Sequence, residues 1–358
     1  MDAFYDFEKP IANLEKKLQD LHELAKQEGV DFGKEITVLE KKLAKMLEET
    51  YEKLTPWQKV QLSRHPSRPH SRDYIDLLFP DFMELHGDRA FSDDQALLGG
   101  IASWPPAMPG APSGEMPQST SSVLILGHQK GRNTKQKMER NFGMARPEGY
   151  RKGMRLMELA ERSKMPVITL IDTPGAYPGI DAEERGQSAA IAESIELMFK
   201  LNVPVASIVI GEGGSGGALA IGIANLVLMQ EYSYYSVIAP ESCAAILWSD
   251  SSLAERASEK LKMSPSDLLR LGVIDAIVKE PKGGAHRDLN QAALLMREAL
   301  MKHFSPLVAA HTGAMTETGG KGKAKAPKSF SADRIAKFRV MGEHALAHAP
   351  ISNSGSGA

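Results

Sequence analysis

Gly211-Glu212-Gly213-Gly214-Ser215-Gly216-Gly217 follows an apolar run, Val203 to Ile210, and leads into the small-residue segment Ala218-Leu219-Ala220-Ile221-Gly222. The pattern predicts a buried strand that breaks at a glycine-rich turn and restarts as a helix. Glycine lets the main chain approach a ligand closely and take positive φ without penalty. The first N–H groups of the new helix have no partner within it and stand at its positive end. Such a turn suits an anion or a developing oxyanion.

Outward from this turn, strands are expected at Leu97–Ile101, Val123–Leu126, Val167–Ile171, Val205–Ile210, Leu226–Met229, Ser236–Ile238 and Val273–Val278. Helical spacing separates them: Tyr150, Met154 and Met157 fall at i, i+4, i+7, as do Ile191, Ile195 and Met198. Near-continuous apolar strands alternating with helices argue for an α/β fold with a largely parallel sheet covered on both faces. Upstream, Leu14, Leu18 and Leu21 and then Leu39, Leu43, Met46 and Leu47 mark two helical stripes with Gly29, Asp31 and Gly33 between them, which predicts an αα-hairpin. Its stripes pack on the body or against another subunit. Four regions result: an N-terminal helical hairpin over 1–55, a main domain over 56–310, a flexible Gly/Lys-rich linker over 311–330, and a C-terminal helix with a disordered tail over 331–358. Trp104 to Ser122, with five prolines, reads as an insertion between two strands that a tight turn could join.

The bulk composition narrows the class. The chain has 358 residues, 42% hydrophobic and 25% charged, with a formal net charge of −2. These are globular values, and the charge balance argues for neither nucleic acid nor a membrane surface. The single cysteine, Cys243, excludes an intrachain disulfide and any multi-cysteine metal site; it reads as a small buried residue. The N-terminus lacks a signal peptide's basic start and apolar core, and no apolar run approaches the ~20 residues that span a bilayer. The expectation is a soluble cytoplasmic protein.

Several strings compete for the chemistry. Gly213-Gly214-Ser215-Gly216-Gly217 matches G-x-S-x-G, which would make Ser215 the nucleophile of an α/β-hydrolase. That enzyme needs an acid and then a histidine downstream, and no flanking acid singles out His286, His303 or His311. Asp172-Thr173-Pro174-Gly175 imitates a GTPase switch, but the companion phosphate loop is absent from the sequence. The loop Asp172 to Gly179 instead follows a strand, at the carboxyl edge where ligands of α/β sheets collect. His128-Gln129-Lys130-Gly131-Arg132, with Lys135, Lys137, Arg140, Arg146, Arg151 and Lys152, is the densest basic cluster. It reads either as a seat for a polyphosphate, such as the nucleotide end of coenzyme A, or as a helix face balanced by acids. With only Phe142 and Tyr150 nearby for base stacking, nucleic acid is the weaker reading.

Together these strings resemble the α subunits of the carboxyltransferase of bacterial-type acetyl-CoA carboxylase. The resemblance rests on Arg64-His65-Pro66, Gly87-Asp88-Arg89-Ala90, Gly127 to Arg132, Asn141 to Met144, Pro147 to Lys152, Asp172 to Gly179, Ala182 to Ser188 and Gly211 to Gly222. It continues through Tyr235 to Ile238, Ile246-Leu247-Trp248 and Glu280-Pro281 to Gly283 to Arg287. It implies a crotonase-like fold, ββα units spiralling into a superhelix. It also implies an α2β2 heterotetramer whose β subunit carries a zinc ribbon, so that no metal sits on this chain. A biotin carboxyl carrier protein would deliver carboxybiotin, and a separate biotin carboxylase would consume the ATP. The implied reaction moves the carboxyl group to acetyl-CoA and gives malonyl-CoA, the first committed step of fatty acid synthesis.

On that reading Gly216 and Gly217 are the catalytic residues, donating backbone N–H groups to the biotin ureido oxygen as negative charge develops there. Gly175, Ala176, Gly213 and Gly214 would shape the substrate site, and Lys130 and Arg132 would bind the nucleotide end of the substrate. Biotin, once decarboxylated, would take the α-proton, since no histidine or carboxylate stands out as a base. Three rivals stand beside it. One is a stand-alone crotonase-type hydratase or thioesterase using Glu183, Glu184 or Glu212; another is a non-catalytic scaffold; the last is the α/β-hydrolase with Ser215 as nucleophile.

Overall fold

The computed structural model describes residues 4–28, 31–110, 121–317 and 329–347. Eight strands share one sheet: β1 (Met83–Glu84), β2 (Leu97–Trp104), β3 (Ser121–His128), β4 (Val167–Thr173), β5 (Val205–Gly214), β6 (Leu226–Gln230), β7 (Tyr234–Ser236) and β8 (Ala276–Val278). Their order is β1-β2-β3-β4-β5-β6-β8, with β7 paired to β5 off this path. β1, β2 and β3 pair antiparallel, and every pair from β3 onward is parallel. This is the expected α/β architecture, with a parallel centre and an antiparallel edge.

Alternation along the strands places the core on both faces, because successive side chains of a strand point to opposite sides. Leu124 and Leu126 join Val167, Ile171, Val205 and Val209 under the helices Pro147–Arg162 and Gln187–Lys200. Their neighbours Val123 and Ile125 join Ile168, Leu170, Ile208 and Ile210 under Ser71–Leu78 and Leu289–His303. Each such side chain contributes about 1.5–3 kcal/mol on burial. The β2–β3 pair runs in register from Leu97 opposite His128 to Trp104 opposite Ser121, so the Pro-rich segment joins two strand ends that already meet. Residues 111–120 of that insertion lie outside the described residues.

The hairpin forms as expected, with helices Lys9–Glu28 and Gly33–Glu52. Asp31 Oδ1 accepts the Gly33 N–H at 2.9 Å. The hairpin's base buries Ile11, Tyr51 and Leu54 against Leu62 and Tyr232 of the body. At the other end the helix Ser305–Glu317 runs past residue 311, where a linker was expected. His311 secures it there, with Nε2 3.0 Å from the Lys164 carbonyl and its ring edge-on to Phe330. The C-terminal helix Phe330–Ala347 docks through Arg334, which is fully buried. Its guanidinium donates to the carbonyls of Met198, Leu201 and Val203 and to Asn225 Oδ1. Residues 318–328 and 348–358, assigned above to linker and tail, lie outside the described residues.

One boundary differs in a way that matters for the site. β5 does not stop at Ile210 but continues through Gly211–Gly214, and the turn falls at Ser215, which has φ 55°. Beyond Ile210 the strand leaves β6 and pairs with β7, setting Glu212 opposite Tyr234 and Gly214 opposite Ser236. The helix that follows is a single short piece, Ser215–Leu219.

Candidate active site

Three segments converge at the end of β5. The first is the short helix Ser215–Leu219, whose opening N–H groups on Ser215, Gly216 and Gly217 have no carbonyl one turn earlier in the helix. The second is the loop after β4, Pro174 to Pro178. The third is Val237 to Ser242, at the start of the helix Pro240–Trp248. Together they wall a cavity of about 390 Å³ that takes in Gly175, Ala176, Tyr177, Glu183, Gln187 and Ser215. A second cavity, of about 580 Å³ and mostly apolar, opens on the other side of Ser215 and Gly216, with Leu219, Leu268 and Phe338 among its walls.

The two glycine loops meet main chain to main chain. A Cβ on Gly214 would stand 2.1 Å from the Pro174 carbonyl oxygen, and one on Gly217 would stand 2.5 Å from the Gly175 carbonyl carbon. Gly216 is different: the nearest atom to its Cβ would be Ile191 Cγ2 at 3.5 Å, an ordinary contact. Thr173 closes the loop from below, donating from Oγ1 to the Gly175 carbonyl at 2.6 Å. Further along, Gln187 Nε2 donates to the Tyr177 carbonyl at 3.0 Å and the Ala145 carbonyl at 2.9 Å.

Of the residues singled out from sequence, Gly175 and Ala176 line the 390 Å³ cavity and Gly216 the 580 Å³ one, Gly217 is the close contact between the loops, and Gly213 and Gly214 are strand positions behind the turn. Lys130 and Arg132 lie elsewhere. Lys130 Nζ is held 2.7 Å from Asp172 Oδ1 and 2.7 Å from Glu212 Oε2. Arg132 donates to the Arg68 carbonyl at 3.0 Å and pairs with Asp73. Most of the basic cluster is engaged in the same way: Arg151 with Asp88 and Glu148, Arg146 with Asp181, and Lys152 with Asp93.

Glu212 is saturated. Besides Lys130 it accepts from Arg64 Nε at 2.6 Å and from the Tyr234 hydroxyl at 2.9 Å. Burial alone would raise its carboxyl, but Lys130 and Arg64 outweigh that and hold it at about 2. It is an ionised structural anion at neutral pH, with no proton to give. Glu183 is exposed at the wall of the 390 Å³ cavity, and Glu184 is exposed outside its lining. Neither cavity lined by Ser215 has a histidine in its walls, so the hydrolase geometry is not assembled. His286 stacks on His65, its ring centroid 4.0 Å away, and His311 serves the C-terminal helix.

Sequence reasoning quoted Arg64 only within a motif and gave no role to it, though it also pairs with Glu241, nor to the Asp172 carboxylate or Tyr234. A signal was available. Asp172, Glu212 and Lys130 each stand at or just past the end of an apolar strand, and a buried charge demands a partner.

Among the described residues no group of three or more His, Cys, Asp or Glu side chains is placed to hold a metal ion. No helix among them is long and apolar enough to cross a membrane.

A family model described as acetyl co-enzyme A carboxylase carboxyltransferase-like matches residues 4–321. The acetyl-coenzyme A carboxylase carboxyl transferase subunit alpha of a Thermus thermophilus strain is 50% identical over 340 residues, covering 95% of this chain and 98% of the relative. The subunit of the same name from Methylococcus capsulatus is 53% identical over 306 residues, covering 86% and 91%. Among solved structures, the β subunit of P. aeruginosa geranyl-CoA carboxylase aligns with a TM-score of 0.51 at 14% identity. That alignment covers 78% of this chain and 47% of the other, so this chain spans about half of its length, and the likeness is one of fold alone.

Proposed function

Because this chain belongs to the acetyl-CoA carboxylase carboxyltransferase α-subunit family, whose step is the carboxyl transfer of malonyl-CoA formation, we propose that the turn at Ser215–Gly217 is where this subunit holds that transfer in register. The observation that carries the reading is the close contact of Gly217 with Gly175–Ala176, where two main chains meet without a side chain between them at the wall of a 390 Å³ cavity. Backbone N–H groups fixed in that way need no rearrangement as charge develops. Each aligned donor contributes ~3–4 kcal/mol to transition-state stabilisation.

In this reading Gly216 and Gly217 donate to the ureido oxygen of biotin. Gly175 and Ala176 form the facing wall, and Gly213 and Gly214 let the strand pass close enough to make it. Carboxybiotin, carried on a separate protein, supplies the activated carboxyl group when bound. In this reading the chain contributes orientation and charge stabilisation, and Glu212, the carboxylate next to the turn in sequence, is bound to two cations and takes no part as a base. The proton of the acetyl methyl group then leaves to a group outside this chain.

The other half of the site would come from a β subunit. Val237, in the wall of the cavity, is 81% exposed, and Ile246, Leu247 and Ile180 are 74%, 62% and 80% exposed. Large apolar side chains left this open to solvent suit a surface that a partner covers. The partner's own turn would hold the thioester oxygen, giving a shared site in an α2β2 assembly.

The test is carboxyl transfer from malonyl-CoA to free biocytin, with the chain alone and with a zinc-ribbon β subunit. Activity only in the mixture is the expected outcome. Turnover of an enoyl-CoA or acyl thioester by the chain alone, with no transfer in either case, would overturn it.

A further inference from the structure

Behind the glycine turn lies an ion-pair network that touches all three walls of the cavity. Lys130 follows β3, and its ammonium sits between Asp172, three residues before Gly175, and Glu212, four residues before Gly216. Asp172 Oδ1 also accepts the Glu212 N–H at 3.0 Å, tying the end of β4 to β5 directly. Arg64 carries the network onward from Glu212 to Glu241, at the start of the helix behind Val237–Ser242. The side chains of Lys130, Asp172 and Glu212 are 16%, 3% and 8% exposed, so water screens these charges little.

We infer that Lys130 is a positioning residue for carboxyl transfer, fixing the spacing between the Gly175–Ala176 loop and the Gly216–Gly217 turn through Asp172 and Glu212. This rests on the reading that the turn and loop hold the reaction.

Without the ammonium, two buried carboxylates face each other at the ends of adjacent parallel strands, and the strand ends must part or take up protons. With it, each carboxylate is pulled towards the same nitrogen. Lys130 does not reach the substrate cavity itself. It lines a separate one of about 190 Å³ with Arg64, Arg68 and His70, and Pro174 is the wall shared with the 390 Å³ cavity. An ammonium already held by two carboxylates is also poorly placed to take a phosphate, which is where its role parts from the one expected from sequence.

The experiment uses the complex with its β subunit and the variants Lys130→Met and Lys130→Arg. Transfer to biocytin is followed from malonyl-CoA and from malonyl-pantetheine, which lacks the nucleotide phosphates. A misplacement approaching 1 Å costs on the order of 100-fold, so K130M is expected to lower kcat by roughly 30- to 100-fold with both donors alike. KM for malonyl-CoA should stay within about threefold, and K130R, which keeps the charge but not the point geometry, should recover part of kcat.

A raised KM for malonyl-CoA at unchanged kcat, with malonyl-pantetheine unaffected, would overturn the positioning role and make Lys130 a phosphate ligand. Unchanged kcat and KM in K130M would overturn it outright. If K130M does not assemble, K130R decides on the same measures: kcat lost with KM kept supports the role, and both kept overturns it. Absence of transfer by the wild-type complex would instead overturn the proposed function.

Discussion

Replacing Gly217 by alanine inserts one methyl group between two main chains. Its Cβ would stand 2.5 Å from the Gly175 carbon and 2.6 Å from the Ala176 nitrogen, where ordinary contact begins at 3.4 Å. The loops must therefore move apart by the difference, about 0.9 Å, and neither offers a flexible side chain to absorb it. Overpacking of this kind costs about 1–3 kcal/mol of stability, which a chain of this size can bear. The larger effect falls on catalysis, because donors displaced by close to 1 Å lose on the order of 100-fold in rate. Gly216→Ala is the control: its methyl would meet Ile191 at 3.5 Å, keeps the N–H, and should leave kcat within about threefold of wild type, a loss of under 1 kcal/mol. The assay is kcat for malonyl-CoA to biocytin by the reconstituted complex, with circular dichroism and melting temperature measured alongside. A folded G217A of near wild-type kcat would refute the reasoning, as would a G216A loss equal to that of G217A.

Three further outcomes are expected. Ser215→Gly should retain transfer within a few-fold, because φ 55° favours glycine and the hydroxyl has no chemical role; a loss of ~10³-fold or more would restore the nucleophile reading. The Glu212 carboxyl, held at about 2 against an ordinary 4.5, gives stability that is complete above pH 4.5 and is lost as pH falls towards 2. That contribution is on the order of 3 kcal/mol, so acid denaturation followed by fluorescence should be less steep over that window in Glu212→Gln, and an unchanged slope would count against the network. Arg334→Ala leaves the carbonyls of Met198, Leu201 and Val203 without their buried donor. At ~1–3 kcal/mol per stranded group, the melting temperature should fall and amide exchange in Phe330–Ala347 should quicken; unaltered exchange there would show that Arg334 does not anchor the helix.

Much of the fold was legible because its strands are apolar runs. Val167–Ile171 and Val205–Ile210 announce buried parallel strands, and the hairpin's leucine stripes announce its helices. The continuation of β5 was not legible, because Gly211, Gly213 and Gly214 read as breakers. In the structure the space a side chain would need is taken by the Asp172 carboxylate at Gly211, by the Tyr235 ring at Gly213 and by the Pro174 main chain at Gly214. Gly216, Gly217, Gly175 and Ala176 could be picked out as loops after successive strands, yet their mutual contact could not, since it is set by register between β4 and β5. The partners of Lys130 were not legible for a related reason: the acids that fold onto it, Asp172 and Glu212, lie 42 and 82 positions away.

The buried pair Arg68–Glu280, at 2.7 Å with side chains 2% and 0% exposed, sets a clock on synthesis. The two residues are 212 positions apart. At ~5–20 residues per second, a ribosome needs roughly 10–40 s between them. For that interval the arginine that will donate to Ile210, Gln230 and Glu280 lacks its carboxylate. Arg64 waits in the same way for Glu212 and Glu241, 148 and 177 positions on. The glycine turn thus gains the full Arg64 brace only once Glu241 has been made, so nascent chains released before Glu241 should carry the turn's sequence without that brace.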